Sequence, residues 1–317
     1  MNRGFSLLEL KFEMTRQNNT LGILLSFGGY TSWVASDIVV KLASKTLPMT
    51  EILAFNFFIG SLFMLAFAAM KGGIKKQMQT KRPVFHFLRS FLTLTSTYGA
   101  VGGIIYLSLA DFYTIIFTSP LILTALGSFF LKEKATLKMW LAILFGFAGV
   151  LLAVRYTDSG NGHLPWIGVA ATSLASLTLA WSMLTTRNSG SESNLALAFW
   201  PEILGCIVSI SILLWMNNMV FDIRPMALAG LSGIFGSIGV LLTNTSLRLA
   251  PVAVVSPYHY TQIIGGALAG YLIWNNVPGW SIITGAIMVT LSGLYILHAE
   301  ARKTGKASAV NKANFPA

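Results

Sequence analysis

An acid stands alone in an apolar run at Ser36-Asp37-Ile38-Val39-Val40-Lys41, and a guanidinium stands in another at Phe87-Leu88-Arg89. If those runs lie in lipid, each charge costs about 2.5–3.5 kcal/mol at a helix centre and needs a partner or a use. Asp37 has two readings. It faces a cavity, where it meets a cationic group of a substrate or carries a coupling proton, or it pairs with Lys41 one turn on and locks the helix end. Arg89 also has two: its guanidinium snorkels to the headgroups, or it lies at the mouth of a cavity and grips a carboxylate with two N–H groups. A denser polar group follows at Tyr258-His259-Tyr260-Thr261-Gln262, about 12–16 Å into its run at 1.5 Å per helical residue. Lipid will not accept His259 and Gln262 together, and His259 either titrates as a gate or packs as a neutral, hydrogen-bonded ring. Trp33, Tyr98, Tyr113 and Trp181 put aromatic rings at similar depth. Such rings line a site for a flat or cationic ligand at about 0.5–2 kcal/mol per contact, or simply pack. The candidate binding set is therefore Trp33, Asp37, Arg89, Tyr98, Tyr113, Tyr258, His259 and Gln262, with Asn244 as a further member. Ser119-Pro120 and Ser256-Pro257 interrupt two runs partway through. A proline there frees a carbonyl that only protein or a wet cavity can satisfy, so Pro120 and Pro257 are candidate gates, with packing kinks as the alternative.

Other chemistries lack their residues. Cys206 is the single cysteine, and His86, His163, His259 and His298 are scattered, so neither a disulfide nor a metal site is expected. The sequence holds no Walker phosphate loop, no Gly-x-Ser-x-Gly elbow and no His-Glu-x-x-His helix. No cofactor and no catalytic residues are expected, and the chain by itself is not an ATP-driven pump. The remaining acids read as structural: Glu51 in a first turn after Thr50, Asp111 and Glu133 at run ends, and Glu202 behind Trp200-Pro201 at an interface.

The elements that hold these residues follow from composition. Of 317 residues, 54% are hydrophobic and 10% charged, where a soluble domain carries about 25% charged; mean hydropathy is +0.68. Lipid is the solvent of most of this chain, which excludes a cytosolic enzyme and a secreted disulfide-stapled domain. A bilayer core needs about 20 apolar residues per helix. Ten stretches meet that need: 20–41, 50–70, 85–107, 111–131, 138–156, 165–186, 196–216, 226–248, 251–274 and 279–298. No alternating pattern of a membrane barrel is present, so the expected fold is all-α. With an inner amino terminus, 17 basic residues fall inside, among them Lys71, Lys75, Lys76, Lys81 and Arg82, and four fall outside (Lys41, Lys45, Arg155 and Arg224). That asymmetry places both termini in the cytoplasm and accounts for the net charge of +11 without nucleic acid. Arg3-Gly4-Phe5-Ser6-Leu7-Leu8-Glu9 has the look of a prepilin cleavage site, but Lys11, Glu13 and Arg16 follow where a long apolar helix should, so it reads as a chance match. No secretory signal is expected, and Met14 is an alternative start.

The polar loop Asp158–His163 divides the runs five and five. Leu109-Ala110-Asp111 is echoed by Leu249-Ala250-Pro251, Trp140 by Trp280, and Ser119-Pro120 by Ser256-Pro257. A unit with an odd number of crossings is followed by a copy that lies upside down. Such inverted repeats build transporters whose site lies near the bilayer midplane. The expected organisation is a cytoplasmic segment 1–19, repeats over 20–157 and 164–298, and a basic tail over 299–317.

The five-plus-five pattern, the basic loop Lys71–Arg82, Leu131-Lys132-Glu133 and the glycines Gly146 and Gly149 resemble the drug/metabolite transporter (DMT) superfamily, EamA family. Within it, Ser36–Lys41, Arg82-Pro83-Val84-Phe85-His86-Phe87-Leu88-Arg89 and Ser256-Pro257-Tyr258-His259-Tyr260 look most like the S-adenosylmethionine uptake transporters of rickettsia-like bacteria. The resemblance implies ten transmembrane helices as two inverted five-helix repeats. It also implies secondary transport of a small organic metabolite across the bacterial inner membrane, by alternating access, with uptake of an S-adenosylmethionine-like cofactor favoured. Efflux of amino acids or related metabolites is the alternative. The residues alone also leave open another class, a membrane-embedded enzyme acting on lipid head groups. The expected partners are a small-molecule substrate and the lipid bilayer.

Overall fold

The computed structural model describes residues 19–130, 136–155, 165–187, 192–216, 219–250 and 256–314. The prepilin-like segment, Met14, Leu131–Glu133 and the 158–163 loop lie outside the described residues. The long helices are α1 (Asn19–Ala43), α2 (Met49–Met70), α4 (Pro83–Tyr106), α7 (Leu137–Arg155), α8 (Trp166–Arg187), α9 (Asn194–Met216), α10 (Ile223–Leu249) and α12 (Trp280–Asn314). Shorter pieces are α3 (Ile74–Met78), α5 (Leu109–Ile116), α6 (Ser119–Phe130), a 3-10 turn (Ser256–Tyr260) and α11 (Thr261–Trp274). No strand occurs among the described residues.

Every apolar stretch read from the sequence carries helix. Among the described residues six of them, with Leu109–Phe130 taken through its break, are long and apolar enough to cross a bilayer; Leu137–Ala153 and Trp280–Ile296 are shorter apolar helices. The outer surface agrees with this, because Leu24, Phe27, Phe87, Phe91, Leu144, Leu151 and Leu268 are all exposed. So much exposed apolar surface needs lipid around it.

Local chemistry sets the helix ends. Pro83 opens α4 at a position whose N–H has no helical partner. Ser108 caps α5 by accepting the Asp111 N–H at 3.1 Å, and its hydroxyl donates to Asp111 Oδ2 at 2.6 Å. Asp222 caps α10 by accepting the Arg224 N–H. Asn275 closes α11 in the left-handed conformation, φ 54°.

The packing pairs each half of the chain with the other. The most extensive contacts join α1 to α10 and α4 to α8, then α7 to α12 and α2 to both α9 and α10. Small residues allow the closest approaches: a Cβ on Gly99 of α4 would lie 2.6 Å from the Ala171 carbonyl oxygen of α8. Between these pairs lies one large core that includes Ile52, Phe57, Ile104, Leu107, Tyr113 and Phe117.

Candidate functional site

Asp37 sits in α1 and remains partly exposed. The Tyr113 hydroxyl of α5 donates to its Oδ2 at 2.6 Å. Tyr113 itself is buried and is pressed by α11, for a Cβ on Gly266 would come within 2.2 Å of its ring. Only glycine leaves room for the ring that reaches Asp37.

Of the two readings of Asp37, the ion pair with Lys41 is not formed; Lys41 is held in a different arrangement. The Lys41 ammonium donates to the carbonyl oxygens of Ile104 and Leu107 at the end of α4. It also lies 5.9 Å from the Trp274 ring centroid. The last carbonyls of a helix have no N–H of their own helix, and a half-buried ammonium with three donors meets that need. Asp37 is left to the phenol and to whatever occupies the space on its exposed side.

An aromatic wall continues from Tyr113. Phe117 stacks beside it at 5.8 Å, and His259 meets Phe117 edge-on at 4.6 Å. Tyr30 of α1 stacks on His259 at 4.6 Å with 17° between planes. Tyr260 tilts against Phe117 at 5.4 Å, its hydroxyl buried without a hydrogen-bond partner. Trp33 lies one turn before Asp37 and fits against Gly239 of α10, where a Cβ would lie 2.8 Å from its ring. Gln262 is buried at the start of α11, and Tyr258 is half-buried in the 3-10 turn. Side-chain contacts thus link Asp37 to Tyr113 and, through Phe117, to His259 and Tyr30; Trp33 lies one turn before Asp37 on α1, and Tyr258 and Gln262 flank His259 in the chain.

Arg89, Tyr98 and Trp181 are not part of that group. The Arg89 guanidinium donates to the Leu197 carbonyl oxygen of α9, while Lys41, one turn from Asp37, reaches Leu107 beyond the opposite end of α4. The rise per residue puts the two ends about 27 Å apart. Pro201 explains the Arg89 contact: it has no N–H to give the carbonyl four residues earlier, and that carbonyl is Leu197. Arg89 thus supplies a donor to a carbonyl freed inside a membrane helix. The Tyr98 hydroxyl is 2.8 Å from Ser209 Oγ, joining α4 to α9. Trp181 packs edge-on against Phe130 at 5.1 Å. Asn244 offers its backbone oxygen to Asn194 at 3.4 Å.

The two proline positions differ in detail from the sequence reading. The helix breaks at Phe117–Thr118, two residues before Pro120, which lies in the first turn of α6. The displacement follows from the ring, which denies an N–H to the Ile116 carbonyl and crowds it. Ser176 Oγ of α8 donates to that oxygen at 3.4 Å, and Thr118 Oγ1 donates to Ile115 at 2.8 Å. Pro257 falls inside the 3-10 turn; its side chain lies outside the described residues.

The acids read as structural are more deeply placed than expected. Glu51 is fully buried, with its Oε2 accepting the Val220 N–H at 3.0 Å. Asp111 is buried beneath its cap. Glu202 has its Oε2 enclosed between α2 and α10. Tyr30 and Phe117 escaped the sequence reading, which named Tyr260 only as part of a polar cluster and Glu202 only as a structural acid. Tyr30 had a signal, two helical turns before Asp37 on the same face, and Phe117 stands one turn after Tyr113.

A cavity of about 220 Å³ lies elsewhere, between α4 and α9, lined by His86, Phe87, Ser90, Trp200 and Ile207 among others. Beside it, His86 Nε2 is 3.1 Å from Glu192 Oε2 in the connection before α9.

Comparison with known proteins matches the family model described as the EamA-like transporter family, over residues 20–155 and again over 165–297. An S-adenosylmethionine uptake transporter of Rickettsia bellii is 27% identical over 278 residues, covering 86% of this chain and 91% of that one. A riboflavin transporter of Rhizobium johnstonii is 23% identical, covering 87% of each chain. The pseudopaline exporter CntI of Pseudomonas aeruginosa is 22% identical, covering 86% and 94%. A solved crystal structure superposes with a TM-score of 0.65 at 14% identity, over 90% of this chain and 99% of that one, a likeness of fold.

Proposed function

The chain belongs to the EamA-like transporter family, and on that premise we propose that it takes up an S-adenosylmethionine-like cofactor across the bacterial inner membrane by alternating access. That it is a multi-pass membrane transporter of a small molecule, and not an enzyme, follows from the family and its transporter relatives. The substrate reading rests on one observation above the rest: Asp37, a partly exposed carboxylate in a membrane helix, held by a phenol at 2.6 Å and flanked by stacked rings. A carboxylate in lipid calls for a cation. A sulfonium or ammonium carried beside a flat purine answers both the acid and the rings, the cation over a ring adding about 0.5–2 kcal/mol. The similarity to an S-adenosylmethionine uptake transporter over most of the chain supports the same choice. Efflux of amino acids or related metabolites is the second reading, favoured by the pseudopaline exporter among the relatives.

The architecture proposed with it has ten crossings in two inverted halves. The halves are residues 20–157 and 164–298, with the segments 1–19 and 299–317 and both termini on the cytoplasmic side. Two features support it. The family model matches twice, once in each half. Exchanging the halves also turns the α1–α10 contact into α8–α4 and returns α2–α9, α5–α11 and α7–α12 to themselves, and all of these contacts occur. In the alternating-access cycle the break before Pro120 and the turn holding Pro257 flex, moving Phe117 and His259 at the wall of the site.

The test is exchange of labelled S-adenosylmethionine in proteoliposomes of the purified chain, without ATP. The reading predicts saturable exchange that unlabelled S-adenosylmethionine abolishes and amino acids leave intact. Exchange of amino acids in its place would carry the second reading.

A further inference from the structure

Glu202 has no role in the site described above. It is the ninth residue of α9 and follows Pro201 directly, which puts it about 12 Å along the helix. The residue keeps some exposed surface, yet its Oε2 is enclosed and has no hydrogen-bond partner. Across from it stand Gly60 of α2 and Ser237 of α10. A Cβ on Gly60 would lie 2.7 Å from Glu202 Oε2 and 3.3 Å from Ser237 Oγ, so the carboxyl group occupies the room that this glycine leaves. The Ser237 hydroxyl donates to the Gly60 carbonyl at 3.5 Å, which turns its lone pairs, not its proton, toward the surroundings. A bare carboxylate oxygen enclosed without a donor is costly to bury, whereas a carboxyl that carries a proton is neutral and costs far less.

No cation takes the place of that proton among the described residues, where His86–Glu192 is the one ion pair. On the neighbouring helices the titratable groups are otherwise engaged or distant. From α4, Arg89 holds the Leu197 carbonyl, Tyr98 holds Ser209 and His86 holds Glu192. From α2, Glu51 is bound by the Val220 N–H at the far end; from α10, Arg224 lies in the first turn; and from α3, Lys75 and Lys76 are exposed. On α9 itself the Cys206 thiol stands one turn on.

We propose that Glu202 is the proton-carrying group that couples transport to a pH gradient, an inference that rests on the transporter reading but not on the identity of the substrate. Water on one side supplies the proton, an O–H bond forms on the carboxylate, and the bond breaks to return the proton to water on the other side; nothing is oxidised or reduced. The proton reaches the carboxyl group along a route that opens to each side in turn, and Pro201 and Gly60 bound the space that group occupies.

Two measurements on the full chain in lipid test this. Infrared difference spectra should show a carboxylic acid C=O band that titrates with pH, is absent from Glu202→Gln, survives in Asp37→Asn and shifts in Gly60→Ala. Proteoliposomes of the wild type should accumulate labelled S-adenosylmethionine under an imposed pH gradient. Glu202→Gln should lose that accumulation at least tenfold while keeping exchange in the absence of a gradient. An infrared band unchanged in Glu202→Gln, gradient-driven accumulation unchanged in that variant, or accumulation driven by sodium and not by pH would each overturn the proposal. If the wild type fails to exchange S-adenosylmethionine at all, the substrate reading fails, and the infrared arm still decides the role of Glu202.

Discussion

Pro120 and Pro201 each leave a carbonyl without its helical N–H, and in each case a side chain from another helix replaces the missing donor. Ser176 serves Ile116 and Arg89 serves Leu197. A buried carbonyl that loses its partner costs about 1–3 kcal/mol. Arg89→Met should therefore lower the stability of the detergent-solubilised protein by that order, while Pro201→Ala restores the Leu197 partner. In a double-mutant cycle read by denaturant unfolding, Arg89→Met made in the Pro201→Ala background should cost far less than alone; an equal cost in both backgrounds would show that Arg89 acts through something else. At this scale the sequence was informative about type and poor about partner. Asp37, Tyr113 and His259 announce themselves as polar or aromatic groups in apolar runs. Lys41 and Arg89 mislead, because their true partners are backbone carbonyls of helices far away in the chain, and a carbonyl carries no residue letter.

At the scale of elements, helix positions were legible because spanning a bilayer demands a length and an apolar content that few other structures need. The break between α5 and α6 was legible as a proline but not in its place, since the disturbed residues precede the ring. The contact between the start of α4 and the connection before α9 was not legible at all, for it joins residues 86 and 192. There the hydrogen bond from His86, aided by Thr80 and the Lys81 backbone, holds the Glu192 carboxylate below the usual range. A depressed acid adds stability above the ordinary glutamate value of about 4.3 and loses it as pH falls through the lowered one. Glu192→Gln should thus be less stable than the wild type at pH 7, with the gap closing below about pH 4. Thermal melts across that range check this, and a gap that widens in acid would reverse the sign and refute it.

Across the whole molecule, the exposed apolar belt and the inward placement of Asp37, Glu51, Asp111 and Glu202 are two sides of one constraint. Lipid takes the hydrocarbon, so the polar groups meet each other. The composition made this legible, as it did the absence of a soluble core. What the chain could not reveal by itself is which polar groups share a space, because that depends on α1 packing against α10 and α4 against α8 across distances of sequence no local pattern spans. The binding reading depends on Asp37 and its aromatic wall. The direct measurement is equilibrium exchange of labelled S-adenosylmethionine by proteoliposomes of Asp37→Asn beside the wild type, at equal protein and equal thermal stability. Loss of exchange by at least tenfold in the variant is the predicted result; exchange at the wild-type rate and affinity would contradict the placement of the substrate at Asp37.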